Sequence, residues 1–403
     1  MNKLKVLIDI TPLYMQPTGI YHYTKNLIDA IKKAENSPEL FYYTYNKIFK
    51  CYKDIENLTL NYKGNKRNNV VRMINSTVEI FGMPGQIFHA ALYNTYHNYF
   101  LKKVVKNGVE KYQPDIVHGI NSLVPDIDKL CILTIFDISC FRYPETHPSY
   151  RVKRQQKILP ESIKKADHII TISQFSKDEI IDYFGVKPEN ITVAYCGIGS
   201  EYKPRSEKDL SDVLLKYSLS FGKYILTVST LEPRKNIETL IRAHSNLPSD
   251  FQKEYPLVIV GMRGWKEASI LKLIKSKLKH ATIKILGYVD QNDLPDIYSG
   301  AFIFAYPSIY EGFGMPPVEA MASNVPVIVS DRASLPEVIN DAGIIVNAMD
   351  TQAWSDAIKL LIDDKSRYSI LQDRGIKRAA YFTWEKTAQS TIMAYNKILS
   401  AQS

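Results

Sequence analysis

Residues 301 to 319 read A-F-I-F-A-Y-P-S-I-Y-E-G-F-G-M-P-P-V-E, and their local chemistry changes three times. The aromatic and apolar run Ala301–Tyr306 predicts a buried strand, and Pro316-Pro317 followed by V-E-A-M-A predicts a helix with both prolines in its first turn. Glu311 then falls in the loop after the strand, and Glu319 in the first turn of the helix, with seven residues between them. Gly312 and Gly314 leave the intervening backbone bare, so its N–H groups can come close to a ligand's oxygens. A carboxylate beside free N–H donors suits a hydroxyl-rich ligand, because hydroxyls both donate and accept. Taken singly, a helical Glu answers the helix dipole and a Gly-Pro loop is a turn; the combination is what points to a site.

A second element of the same kind lies upstream. The run Tyr224–Ser229 (Y-I-L-T-V-S) predicts a strand, and T-L-E-P-R-K-N-I-E-T-L-I follows it. Arg234 and Lys235 stand just before a helix that begins near Asn236. Adjacent cations at a strand-to-helix junction can hold a diphosphate, Arg forking onto two oxygens and Lys acting as a point charge. The alternative for such a pair is a solvated surface position.

Outward from these segments the chain alternates strand and helix in two halves. The first has strands near 5–9, 40–45, 116–118, 131–136, 168–172 and 191–194; the second near 224–228, 257–260, 282–285, 302–305, 325–329 and 343–346. Such alternation predicts parallel sheets in two α/β domains, with a boundary near Lys203 in the polar stretch Gly199–Phe221. The expected division is 1–203, 204–382, and a terminal segment 383–403. In open parallel sheets ligands sit beyond the carboxyl ends of the strands. Asp9 ends the first strand and Thr18-Gly19 opens the following helix. His118 and Asp137 end later strands, and each has a plain structural alternative as a hydrogen-bonded or turn residue. Ser176 with Glu179 reads as a capping box, Glu337 as a residue answering a helix dipole, and Asp126-Ile127-Asp128 as a loop and not a metal motif.

The two glutamates and the Arg-Lys pair, with V-I-V-G-M-R-G (Val258–Gly264) and L-G-Y-V (Leu286–Val289), resemble the retaining glycosyltransferases of family 4, in particular the mannosyltransferase-like enzymes of bacterial polysaccharide synthesis. The likeness is dense from about Leu226 to Val346. It implies the GT-B fold, two facing Rossmann-like parallel-sheet domains around one cleft, with the last helix crossing back to the first domain. It implies that Arg234 and Lys235 stabilise the departing diphosphate in place of a metal. Glu311 and the amides of Phe313, Gly314 and Met315 hold the donor sugar, Glu319 stays ionised and accepts the ribose hydroxyls, and Gly261, Arg263, Tyr288 and Val289 border the base. Gly19 lets its helix approach the diphosphate, and Asp137 and His118 reach the sugar or acceptor side. The chain departs from the family at T-G-I-Y-H-Y (Thr18–Tyr23), where relatives carry repeated glycines, and at Phe136, where many carry histidine. The implied function is transfer of a hexose, mannose from GDP-mannose, to a lipid-linked or saccharide acceptor. The alternatives are a nucleotide-sugar epimerase of the same fold and a scaffold that binds nucleotide sugars without catalysis.

Composition agrees with an enzyme of this kind. The chain has 403 residues, of which 45% are hydrophobic, enough for two sizeable cores. Its four cysteines lack C-x-x-C spacing, so neither a zinc site nor a disulfide framework is expected, and no cofactor is implied. The N-terminus runs straight into a strand, unlike a signal peptide, so a cytoplasmic protein is expected. The uncharged run Ile80–Leu101 contains Pro84, Gln86, His89, Asn94, His97 and Asn98 and is too polar to span a membrane. Residues 63–111 hold eight Lys/Arg against two acids, +6 of a net charge of +9, interleaved with aromatics. That pattern fits peripheral contact with an anionic membrane, at the inner face of the cytoplasmic membrane; no recognition helix or RNA-binding signature accompanies it, so no nucleic-acid partner is expected.

Overall fold

The computed structural model of the chain describes residues 3–14, 18–44, 46–51, 101–120, 123–262, 264–265, 270, 272–273 and 282–401. The chain forms two compact units. The first comprises Met1–Ile172, Lys177–Ala194 and Glu385–Ser403; the second comprises Ser173–Ser176 and Tyr195–Trp384.

The first unit is built on β1 (Lys5–Asp9), β2 (Glu39–Tyr43), β3 (Ile48–Phe49), β4 (Ile116–Gly119), β5 (Leu130–Ile135), β6 (His168–Thr171) and β7 (Ile191–Val193). They form one seven-stranded sheet in the order β3-β2-β1-β4-β5-β6-β7. Every neighbouring pair is parallel except β2 with β3. Parallel strands covered on both faces show unbroken apolar runs in place of alternation, and Val6, Leu7 and Ile8 of β1 are all fully buried. The antiparallel edge strand β3 has two residues, too few to carry a periodicity in the sequence.

The second unit carries β8 (Ile225–Val228), β9 (Leu257–Val260), β10 (Ile283–Gly287), β11 (Ile303–Tyr306), β12 (Val327–Ser330) and β13 (Ile344–Val346). Its six strands run in the order β10-β9-β8-β11-β12-β13, all parallel. This is the doubly wound order, whose direction reverses between β8 and β11. Ligands of such sheets bind outside the carboxyl ends of the strands at that reversal. The Arg-Lys turn follows β8, and the loop with Glu311 follows β11. One core cluster joins Ile225, Leu257, Ile259, Ile303 and Ile328 of the sheet to Trp354, Ile358 and Leu361 of the helix Thr351–Asp363.

The carboxyl ends of β8, β9 and β10 converge closely. Gly261 has φ +148°, and a Cβ there would lie 1.8 Å from the Ser229 carbonyl oxygen, while its N–H donates to Gly287 O at 2.9 Å. Only glycine accepts both the dihedral and the contact. Gly261→Ala is therefore expected to cost more than about 3 kcal/mol, in the class of strained special-φ substitutions. Gly19→Ala, where no atom lies within 4 Å of the added carbon, should change stability by less than about 1 kcal/mol. Thermal melts of the two variants check this contrast.

Candidate functional site

Arg234 and Lys235 lie in the short 3-10 turn Pro233–Lys235 between β8 and the helix Ile237–Ser245. Asn236 closes that turn at φ 53° and donates from Nδ2 to Pro307 O (3.1 Å) and Ala348 O (2.7 Å), tying the β8 turn to the end of β11. The two cations are not a solvated pair. Lys235 is buried and donates from Nζ to Glu311 Oε1 at 2.6 Å and to the Tyr306 hydroxyl at 2.8 Å. Arg234 reaches Glu311 Oε2 at 3.2 Å and Glu232 Oε1 at 2.8 Å, and also donates to the Tyr310 carbonyl. Glu311 Oε1 accepts in addition from Tyr306 OH (2.9 Å) and Ser308 Oγ (2.6 Å).

Charge decides the state of this cluster. Burial by itself would raise the Glu311 carboxyl, but the charges of Lys235 and Arg234 and their hydrogen bonds outweigh it and hold the group well below the usual carboxylate range. Glu311 is thus an anion at any ordinary pH, while burial pulls the Lys235 ammonium down against the opposing charge of Glu311. The structure brings Arg234, Lys235 and Glu311 to one place, and Tyr306, Ser308 and Glu232 complete the cluster. Glu232, two residues before Arg234 in T-L-E-P-R-K, was the one legible signal, an acid beside a buried cation.

Phe313 is buried, and Gly314 has φ +93° as the N-cap of the helix Met315–Ala322. Glu319 departs from expectation in two ways. The helix starts at Met315 with no acid in its first turn, so Glu319 sits in the second turn, beyond the strong end of the dipole. Its carboxyl is pushed up to about 7, chiefly by burial, with the charge of Glu201 adding and hydrogen bonds from the Tyr298 and Tyr202 hydroxyls opposing. It is therefore not held ionised by helix position. Of the residues expected to border the base, Gly261 follows β9 in close backbone contact, Val289 is buried and Tyr288 is 62% exposed; Arg263 lies outside the described residues.

In the first unit, Gly19 opens the helix Gly19–Lys33 with Thr18 as N-cap. Ile20 of that helix and Asp137 line one small cavity with Phe136, Ile138, Arg151 and Gln155. Asp137 also accepts from Ser139 N at 2.8 Å, the turn role that was its alternative. Asp9 is buried, accepts from Thr11 N at 2.8 Å, and is pushed up to about 6 by burial against the Thr11 hydrogen bonds. His118 does not reach a ligand surface. It is fully buried, with Nδ1 at 2.7 Å from Tyr395 OH and Nε2 at 2.8 Å from Thr134 Oγ1, and burial lowers it to about 3. A neutral imidazole with both nitrogens engaged is a structural pin between β4 and the helix Trp384–Ser400. Asp126 is exposed and pairs with Lys102 at 3.2 Å.

Two capping assignments also change. The helix Gln174–Phe184 begins before Ser176, so Ser173 is the capping residue, accepting from Ser176 N at 3.0 Å. Glu179 pairs instead with Arg142 at 2.9 Å. Glu337 does not act only on its own helix: it accepts from Gln174 N (2.7 Å), Phe175 N (2.9 Å) and Tyr195 OH (2.6 Å).

Two stability measurements follow from these charges. Glu311→Gln leaves Lys235 buried without its anion and should cost about 3–5 kcal/mol in a denaturant melt. Glu319, raised in the folded state from 4.5 to about 7, favours folding fully below pH 4.5 and loses that contribution as pH rises through 7. The stability of Glu319→Gln relative to the parent should therefore climb between about pH 4.5 and 7 and level off above. Paired melts across that range read it out.

Two family models match the chain: "Glycosyltransferase Family 4" over residues 54–202 and "Glycosyl transferases group 1" over residues 220–378. The O-antigen chain mannosyltransferase B of Escherichia coli is 40% identical over 284 residues, 70% of this chain and 74% of that protein. Three further curated relatives are longer, and the chain spans 30–31% of each. Among solved structures, sucrose-phosphate synthase from Thermosynechococcus elongatus superposes with TM-score 0.72 at 17% identity, covering 99% of this chain and 100% of that one. WaaG, a glycosyltransferase involved in lipopolysaccharide biosynthesis, superposes with TM-score 0.67 at 14% identity, covering 96% and 98%. These likenesses give the GT-B fold. Since a curated relative at 40% identity is matched over 74% of its length and both family models are of glycosyltransferases, the chain belongs to the family 4 glycosyltransferases.

Proposed function

We propose that the chain moves mannose from GDP-mannose onto a lipid-linked or saccharide acceptor in cell-surface polysaccharide synthesis, retaining the anomeric configuration and using no metal. The observation that carries this is the cluster of buried Lys235 and Glu311 with half-buried Arg234 at the β8/β11 switch point. Cleaving a sugar-phosphate bond leaves negative charge on the diphosphate, and two preorganised cations bind that charge most tightly as it develops. Glu311, held in place by Lys235 and Arg234, accepts from a sugar hydroxyl. The amides of Phe313, Gly314 and Met315 complete the sugar site. A leaving-phosphate oxygen takes the acceptor's proton in a same-face attack, so no protein nucleophile is needed.

Glu319 accepts the ribose hydroxyls, its two oxygens matching a vicinal diol, with Tyr298 and Tyr202 beside it. The base lies along Gly261, Arg263, Tyr288 and Val289. The mannosyl and polysaccharide parts of the proposal rest on the name of the relative with 40% identity. Family membership leaves the epimerase alternative without support. Residues 1–203 supply the acceptor side and 204–382 the donor side. The enzyme works at the inner face of the cytoplasmic membrane, resting on anionic lipid through residues 63–111, of which 63–100 lie outside the described residues. In support, the helical residues 101–112 expose Lys102, Lys103, Lys106 and Lys111 while burying Leu101 and Val105. Among the described residues no helix is long and apolar enough to cross a membrane.

The test is binding and slow hydrolysis of GDP-, UDP- and dTDP-hexoses, followed by transfer to lipid-linked acceptors. GDP-mannose should be the donor selected, the product should keep the donor's anomeric configuration by NMR, and chelators should leave the rate unchanged. Arg234→Ala should lose more than ~10²-fold in kcat, as for removal of one oxyanion donor. Near-parental transfer by that variant would sink the site assignment. Liposomes with anionic lipid should bind the chain more tightly as ionic strength falls.

A further inference from the structure

The sugar-binding loop is held from behind by hydroxyl groups, and the turn Ser173–Ser176 supplies two of them. Three successive carbonyls of that loop are tied down. Arg234 donates to Tyr310 O, Ser334 Oγ donates to Glu311 O at 2.9 Å, and Ser173 Oγ and Ser176 Oγ donate to Gly312 O at 2.6 and 3.2 Å. A trans peptide is planar, so its C=O and the following N–H point in opposite directions. Fixing Gly312 O therefore aims the Phe313 N–H, and fixing Glu311 O aims the Gly312 N–H. No acceptor for the N–H of Phe313 or Gly314 is found among the described residues.

The turn itself is anchored. Its helix start has three N–H groups to satisfy, and all three are: Gln174 N and Phe175 N by Glu337, Ser176 N by Ser173 Oγ. Tyr195 OH holds the same Glu337 oxygen as Gln174 N, and the Phe175 ring meets Tyr310 edge-on at 5.6 Å. Ser173 and Ser176 are both buried, so their hydroxyls are not diverted by solvent. A side-chain hydroxyl that only capped its helix would need no second partner. Here each also reaches a carbonyl more than a hundred residues away in sequence.

We propose that Ser173 and Ser176 are positioning residues of the donor-sugar loop, setting the direction of the Phe313 amide that receives a sugar hydroxyl. The inference rests on the reading of that loop as the sugar site. It predicts a selective effect: contacts to the sugar weaken and contacts to the nucleoside diphosphate do not.

Calorimetric titration of the full chain with GDP-mannose and with GDP tests it, or with UDP-glucose and UDP if the chain selects that donor. The double variant S173A/S176A should bind the nucleotide sugar about tenfold more weakly, the loss of one to two hydrogen bonds, and the nucleoside diphosphate within about twofold. Ser173→Thr, which keeps the hydroxyl, should stay within about threefold of the parent for both. If Ser173→Ala fails to fold through loss of its cap, Ser176→Ala decides alone. Alanine is favoured inside a helix, and a selective loss of about threefold is expected there. Equal weakening of both ligands, or no weakening, overturns the inference while leaving the function standing. A parent chain that binds no nucleotide sugar overturns both.

Discussion

The second unit of this glycosyltransferase is organised around a buried ion pair, Lys235 with Glu311, braced by Arg234. Removing such charges from water costs several kcal/mol per ion, and their attraction offsets this only where hydrogen bonds complete each group. Here they do: Glu311 Oε1 accepts from Lys235, Tyr306 and Ser308, and Oε2 from Arg234. The result is a fixed arrangement of charge reached without reorganisation. That is the condition under which cations lower the energy of a departing anion.

The pair can exist because the sheet order places its halves side by side. β8 and β11 are hydrogen-bonded neighbours, and the chain leaves both at their carboxyl ends.

 Ile225 and Ile303, which pair across the two strands, stand 78 positions apart in the chain. The Asn236 side-chain amide then ties the turn after β8 to Pro307 O and Ala348 O, so strand order and one side chain together hold the cations beside the carboxylate. The same logic explains the glycines. Gly261 lets three strand ends close up, and Gly314 lets the chain turn into a helix at φ +93°.

Burial separates residues that look alike in sequence. Glu311 and Glu319 are both glutamates of one motif, yet Glu311 is held as an anion by two cations, while Glu319 faces two tyrosine hydroxyls and another acid and is pushed up to about 7. His118 and Asp137 both end strands of the first sheet, yet the histidine is sealed between Thr134 and Tyr395, and Asp137 lines a cavity. Which strand-end residue meets solvent depends on what the rest of the chain lays over it.

The sequence by itself determined the fold class, because apolar runs of strand length alternating with helical periods admit few architectures other than parallel sheets. It also determined which loops matter: Arg234-Lys235 and Glu311 are unusual groups at strand ends, and their types and spacing are local. Only the tertiary structure decided their partners. Tyr306 and Ser308 look like ordinary strand-end residues, and Ser173 like part of a turn, until strand order brings them against Glu311 and Gly312. The helix boundary that moves Glu319 out of the first turn, and the burial that silences His118, were equally beyond reach. Periodicity and spacing report what a residue's neighbours in the chain impose, whereas desolvation and hydrogen-bond partners are set by neighbours in space.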